Sequence, residues 1–165
     1  MKHWLVFYTK SRHEKRVSEL LERRGFEVYL PLQKVMRQWS DRKKIVETPL
    51  FNSYLFVLES EDKIPSILET PGVAWNIRYN NKPAVLHSNE METIKRFLSS
   101  GLLIESRQIE KFEVGDQVQV IDGPLKRMMG FLVKTNEGDK LTVALESIGQ
   151  MLLVRIDPKL LTRKR

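Results

Sequence analysis

Cysteine is missing from the 165 residues, which excludes disulfides, thiol nucleophiles and thiolate metal sites together. Histidine is scarce: His3, His13 and His87 lie far apart, and a metal site would need them to converge with carboxylates. No run of about 18 apolar residues exists to span a bilayer. The first residues also lack a charged-then-apolar leader pattern. Glycine-rich phosphate loops, nucleophile elbows and closely spaced His/Glu pairs do not occur either. No catalytic residue, metal or cofactor is therefore assigned. The expectation is a soluble, cytoplasmic, monomeric protein that is not an enzyme and has no membrane partner.

What is present is a core-forming composition with misplaced charge. Hydrophobic residues make up 41% and charged residues 30%, enough to build one ordinary domain or two small ones. Lys and Arg number 28 against 21 Asp and Glu, a net charge of +7. Residues 1–44 hold twelve of those cations and five of the anions, which is the entire surplus of +7. Residues 45–165 hold sixteen of each. A basic local surface fits a polyanionic partner, and a solvated face kept for solubility is the plainer alternative.

The pattern along the chain alternates strand and helix at first. Trp4 to Thr9 is nearly continuous in apolar character and reads as a strand covered on both faces. Ser11-Arg12-His13-Glu14 has the form of a capping box before a helix with Val17, Leu20 and Leu21 on one face. Arg12, Lys15, Arg16 and Arg23 fall on the opposite face, and Gly25 is placed to end the helix. Glu27 to Leu30 is a second strand. Gln33 to Trp39 and Ile45 to Thr48 read as hairpin arms joined by the polar turn Ser40 to Lys43. Ser53 to Leu58 is a strand, Asp62 to Glu69 a weak short helix, and Val73 to Trp75 a short strand after Pro71-Gly72. Ser88-Asn89-Glu90 opens a helix through Met91, Ile94, Phe97 and Leu98 that Gly101 ends.

Residues Ser99 to Phe112 have no clear period and read as a linker. From Gly115 onward, four or five short alternating strands punctuated by Gly123-Pro124 and by Asn136 to Asp139 predict a small barrel.

The most informative segment is Pro49-Leu50-Phe51-Asn52-Ser53-Tyr54-Leu55-Phe56-Val57, six of whose nine residues are large and apolar. Leu55 and Val57 read as core. Tyr54 and Phe56 fall on the other face, with Trp4, Phe7, Tyr8 and Phe51 as candidate neighbours. The expectation is an exposed aromatic patch of the kind that docks a protein.

These residues resemble the NusG family of transcription elongation factors. The likeness is carried by Trp4-Leu5-Val6-Phe7-Tyr8, the basic first helix, Tyr29-Leu30-Pro31 and the Pro49-to-Val57 motif. Asp122-Gly123-Pro124-Leu125-Lys126 with Gly130 then looks like the start of a KOW domain. Tyr29-Leu30-Pro31 and Pro49-Leu50-Phe51 look closer to the specialised paralogues, RfaH and the UpxY regulators, than to housekeeping NusG.

The resemblance implies an α+β fold: an N-terminal antiparallel or mixed sheet flanked by helices, then a small SH3-like KOW β-barrel. It divides the chain into residues 1–98, a linker over 99–112, and 113–165. It implies an antitermination factor that binds RNA polymerase, holds the clamp closed and suppresses pausing. Tyr8, Phe51, Tyr54 and Phe56 would meet the β′ clamp coiled coil, with the β subunit as a second contact. Lys10, Arg12, Arg16, Arg23, Arg42 and Lys43 would face upstream or non-template DNA. Gly123, Pro124, Lys126 and Gly130 would mark a KOW domain that meets a ribosomal protein, a termination factor or RNA. The alternative reading is a ribosome-associated or RNA-binding KOW protein.

Overall fold

Apolar character on both faces puts the first strand, β1 (His3–Thr9), in the middle of a sheet in the computed structural model, which describes residues 1–109 and 115–164. The chain divides into two compact units, Met1–Ser88 and Asn89–Arg165. In the first, β1 is followed by α1 (Glu14–Arg23), β2 (Glu27–Tyr29), β3 (Leu32–Gln38), β4 (Lys43–Pro49) and β5 (Tyr54–Glu59). A 3₁₀ turn at Glu61–Lys63 leads into α2 (Ile64–Leu68), then β6 (Val73–Asn76), β7 (Arg78–Tyr79), β8 (Lys82–Pro83) and β9 (Val85–Leu86).

The main sheet runs β2-β5-β1-β6, with β9 also on β1, and every pairing is antiparallel. On one face Leu5, Phe7, Leu55 and Val57 pack against Val17 and Leu21 of α1 and Ile64 and Ile67 of α2. Helical spacing supplies that contact: Val17 and Leu21 are one turn apart on the stripe that faces the sheet.

The end of α1 is the one its sequence predicts. Gly25 has φ +90, its N–H reaches Glu22 O, and Phe26 N–H reaches Leu21 O, the bond pair of a Schellman cap. The start of α1 is not. His13, not Ser11, is the N-cap, and Glu14 turns back to accept from Arg12 N–H at 3.2 Å and Ser53 N–H at 3.1 Å. The carboxylate is spent on a tertiary contact that sequence spacing cannot show.

Strands β3 and β4 form a two-stranded sheet of their own, in register from Leu32↔Pro49 to Gln38↔Lys43. The second arm is longer than expected, so Lys43 lies in β4, while the first is shifted back by one residue and leaves Trp39 in the turn, which closes through Trp39 N–H to Arg42 O at 2.8 Å.

The second unit begins at α3 (Ser88–Leu98) and continues through β10 (Ile104–Gln108), β11 (Gln117–Val120), β12 (Met129–Thr135), β13 (Gly138–Leu145), β14 (Gln150–Arg155) and β15 (Leu161–Arg163). The strands form one antiparallel sheet in the order β10-β14-β13-β12-β11-β15. One expectation changes here. The stretch read as a linker over 99–112 contains β10, which pairs along β14 from Ile104↔Val154 to Gln108↔Gln150; residues 110–112 of it lie outside the described residues. From residue 115 onward the described residues form five strands, within the four or five expected there, and β10 joins them as a sixth. Within this unit Glu90 accepts from Ser147 N–H at 3.2 Å and Arg96 donates to Lys126 O at 2.6 Å.

Candidate functional site

Alternation along β1 and β5 sends Trp4, Val6 and Tyr8 to one face with Tyr54, Phe56 and Leu58, opposite the helices. The register Tyr8↔Tyr54, Tyr8↔Trp75 and Tyr29↔Phe56 then aligns rings across four strands. The result is a continuous row of seven aromatics. Trp75 stacks on Tyr8 with centroids 4.4 Å apart, and Tyr8 meets Tyr54 edge-on at 5.7 Å. Phe51 touches Tyr54 at 6.5 Å and Phe56 at 6.2 Å; Tyr29 continues the row to Phe56 at 6.1 Å and to Trp4 at 6.2 Å. These separations are those of attractive offset and edge-to-face pairs.

The row brings Tyr8, Phe51, Tyr54 and Phe56 together, but the expected exposure is corrected. Phe51, Tyr54 and Phe56 are 2%, 7% and 0% exposed, so three of the four are interior. The accessible end is Trp75, 53% exposed and stacked flat on half-buried Tyr8. Trp75 is not among the site residues the sequence suggests: alternation with Val73 places it on a strand but does not show the ring it stacks on. At the far end, burial pushes the Tyr29 phenol up from 10.0 to about 12.

The six cations proposed from sequence are all exposed. None takes part in an ion pair among the described residues. Arg16 and Arg23 lie seven residues apart on α1, about 10 Å along one face. Arg12 precedes the helix with φ +63, and Lys10 is fixed through its N–H to Gly72 O at 2.9 Å. Gly72 is required there: φ is +94, and a Cβ would come 2.7 Å from Val17 Cγ2. Lys15 donates to Glu47 O at 2.6 Å, tying α1 to the hairpin that carries Arg42 and Lys43. Arg24 does not belong to this set; it donates to Ser66 O and to Thr70 Oγ1.

In the second unit, Gly123 (φ +87) and Pro124 form the turn after β11, with Gly123 N–H donating to Asp122 Oδ1 at 2.9 Å. Leu125 is buried and Lys126 exposed. Gly130 lies in β12 under its neighbour: a Cβ there would meet Thr142 O at 2.6 Å. Among the described residues no group of His, Asp and Glu converges on a metal site, and no helix is long and apolar enough to cross a membrane.

The family model described as "NusG: Transcription termination factor nusG" matches residues 2–95. The transcription termination/antitermination protein NusG of Neisseria meningitidis serogroup B is 29% identical over 169 residues, covering 94% of each chain. The protein of the same description from Pseudomonas aeruginosa is 28% identical over 170 residues, covering 94% of this chain and 95% of its own. Among solved structures, Thermotoga maritima NusG aligns with a TM-score of 0.62 at 20% identity, over 100% of this chain and 98% of that one. At that identity the likeness speaks for the fold.

Proposed function

This chain is a member of the NusG family, and from that premise we propose that it is an elongation and antitermination factor that binds RNA polymerase through its first unit, probing the β′ clamp coiled coil with the aromatic row. The observation that carries this reading is the row itself. Seven rings span the sheet, and its most exposed ring, Trp75, stacks on half-buried Tyr8, which adjoins the buried Tyr54, Phe51 and Phe56. A rigid aromatic pair held from beneath has the anatomy of a binding hot spot. A helical hairpin tip that seats on it is recognised without chemistry on either side.

The exposed cations of α1 and the hairpin then meet upstream or non-template DNA through phosphates. Favouring one clamp conformation over another suppresses pausing. The second unit, with its Gly123-Pro124 turn, meets a ribosomal protein, a termination factor or RNA. Action on particular operons, as a specialised factor, completes the proposal.

The test is retention on core polymerase. Tyr8→Ala with Trp75→Ala is expected to lower retention strongly while circular dichroism stays unchanged, since an aromatic anchor contributes about 2–4 kcal/mol. Wild-type retention by the double variant rejects this docking face. Binding of free RNA in preference to polymerase would favour the RNA-binding alternative instead.

A further inference from the structure

We propose that the tip of the β3–β4 hairpin binds single-stranded DNA, with an unpaired base stacked on Trp39 and neighbouring phosphates held by Arg42, Lys43 and Lys44. This rests on the reading of the basic side of the first unit as a DNA contact and goes beyond it, because it assigns a base contact and not only charge.

Trp39 is 43% exposed at the end of a two-stranded sheet whose residues 36–45 are all exposed. An indole in that place serves no core. Two cations lie over its ring: the Arg42 guanidinium carbon is 5.7 Å and Lys44 Nζ 5.4 Å from the centroid. Residues 37–44 hold Arg37, Arg42, Lys43 and Lys44 against one acid, Asp41.

The register keeps the charged pair Arg37↔Lys44 next to the tip on one side, and the apolar pair Met36↔Ile45 on the other. The Trp39 side is therefore a polyanion surface and not an apolar one. A cation resting on an exposed indole is exchanged readily for a base, and the released charge then takes the adjoining phosphate. One indole on a narrow tip has no access to the π-face of a base stacked inside a duplex. The ligand chemistry is thus an unpaired nucleotide.

The experiment uses the full chain, fluorescence anisotropy and three probes at low salt: a 12-mer of thymidine, an abasic strand of equal length and a 12-base-pair duplex. Wild type is expected to prefer the thymidine strand over the abasic one by about 5- to 100-fold, the range for stacking one or two bases. Trp39→Ala is expected to abolish that preference, Trp39→Phe to keep most of it, and neither to alter the salt slope. Equal binding of thymidine and abasic strands by wild type overturns the proposal, as does a preference that survives in Trp39→Ala. A Trp39→Ala variant that only melts earlier would reduce the cation–indole cluster to hairpin support and overturn it too. The underlying DNA reading fails separately, through a salt slope that does not respond to removal of Arg16 and Arg23. Failure of every strand to bind overturns both.

Discussion

Glu14 shows how one side chain fixes two surfaces. Its buried carboxylate holds Arg12 N–H at the edge of the basic side and Ser53 N–H directly before Tyr54. Ser53 has φ +67, so this turn is not held by its own preferences. Glu14→Ala leaves the buried Ser53 N–H without its acceptor and is expected to cost about 1–3 kcal/mol in chemical denaturation. Tyr29 gives a second residue-level prediction. A phenol raised to about 12 binds its proton more tightly when folded, so its stabilisation is complete below pH 10 and lost as pH climbs toward 12. A late phenolate absorbance step near pH 12 should be visible and should vanish in Tyr29→Phe. The interior rings are another matter: Phe56→Ala is expected to cost about 3–5 kcal/mol and to unfold the unit rather than to report on docking.

Elements with a period of their own were legible, and elements defined by distant partners were not. Alternation gave β1, β5 and the hairpin, and helical spacing with Gly25 gave α1 and its end. Strand β10 was missed because Ile104-Glu105-Ser106-Arg107-Gln108 carries little apolar pattern; its strand state comes from pairing along β14. The aromatic face was found, but its burial was not. A sheet apolar on both faces gives no signal of which face is covered, and Trp75 could be placed beside Tyr8 only once the register was known. In the second unit, Gly130 sits where β12 passes Thr142 O too closely for any Cβ. Gly130→Ala is expected to cost about 1–3 kcal/mol by overpacking, read as a lower melting midpoint. Beside it, Lys140 hydrogen-bonds Glu137 and Glu105 at 2.9 Å each and holds both carboxyls below the ordinary 4.5. Their support is full above that value and lost as pH falls through the lowered carboxyl values, so Lys140→Met should lower the midpoint at neutral pH and flatten the acid limb.

For the molecule as a whole, all surplus charge belongs to residues 1–44 and none to the remainder. If about four phosphates are neutralised, log K against log salt should slope by about −3 to −4, and each of Arg16→Ala and Arg23→Ala should flatten it by about 0.7–0.9 for every sequence alike. An unchanged slope would leave the cations as a solvated face. The place of β1 has a different consequence. It is made before every strand it pairs with, yet it lies between β5, β6 and β9, whose paired residues run from Tyr54 to Leu86. During synthesis one edge of the central strand therefore stays unpaired after β5 has joined the other, until β6 and β9 have left the ribosome. The first unit thus closes last at that edge, and a nascent chain stalled before Val85 should remain more sensitive to protease along β1 than one released past Leu86.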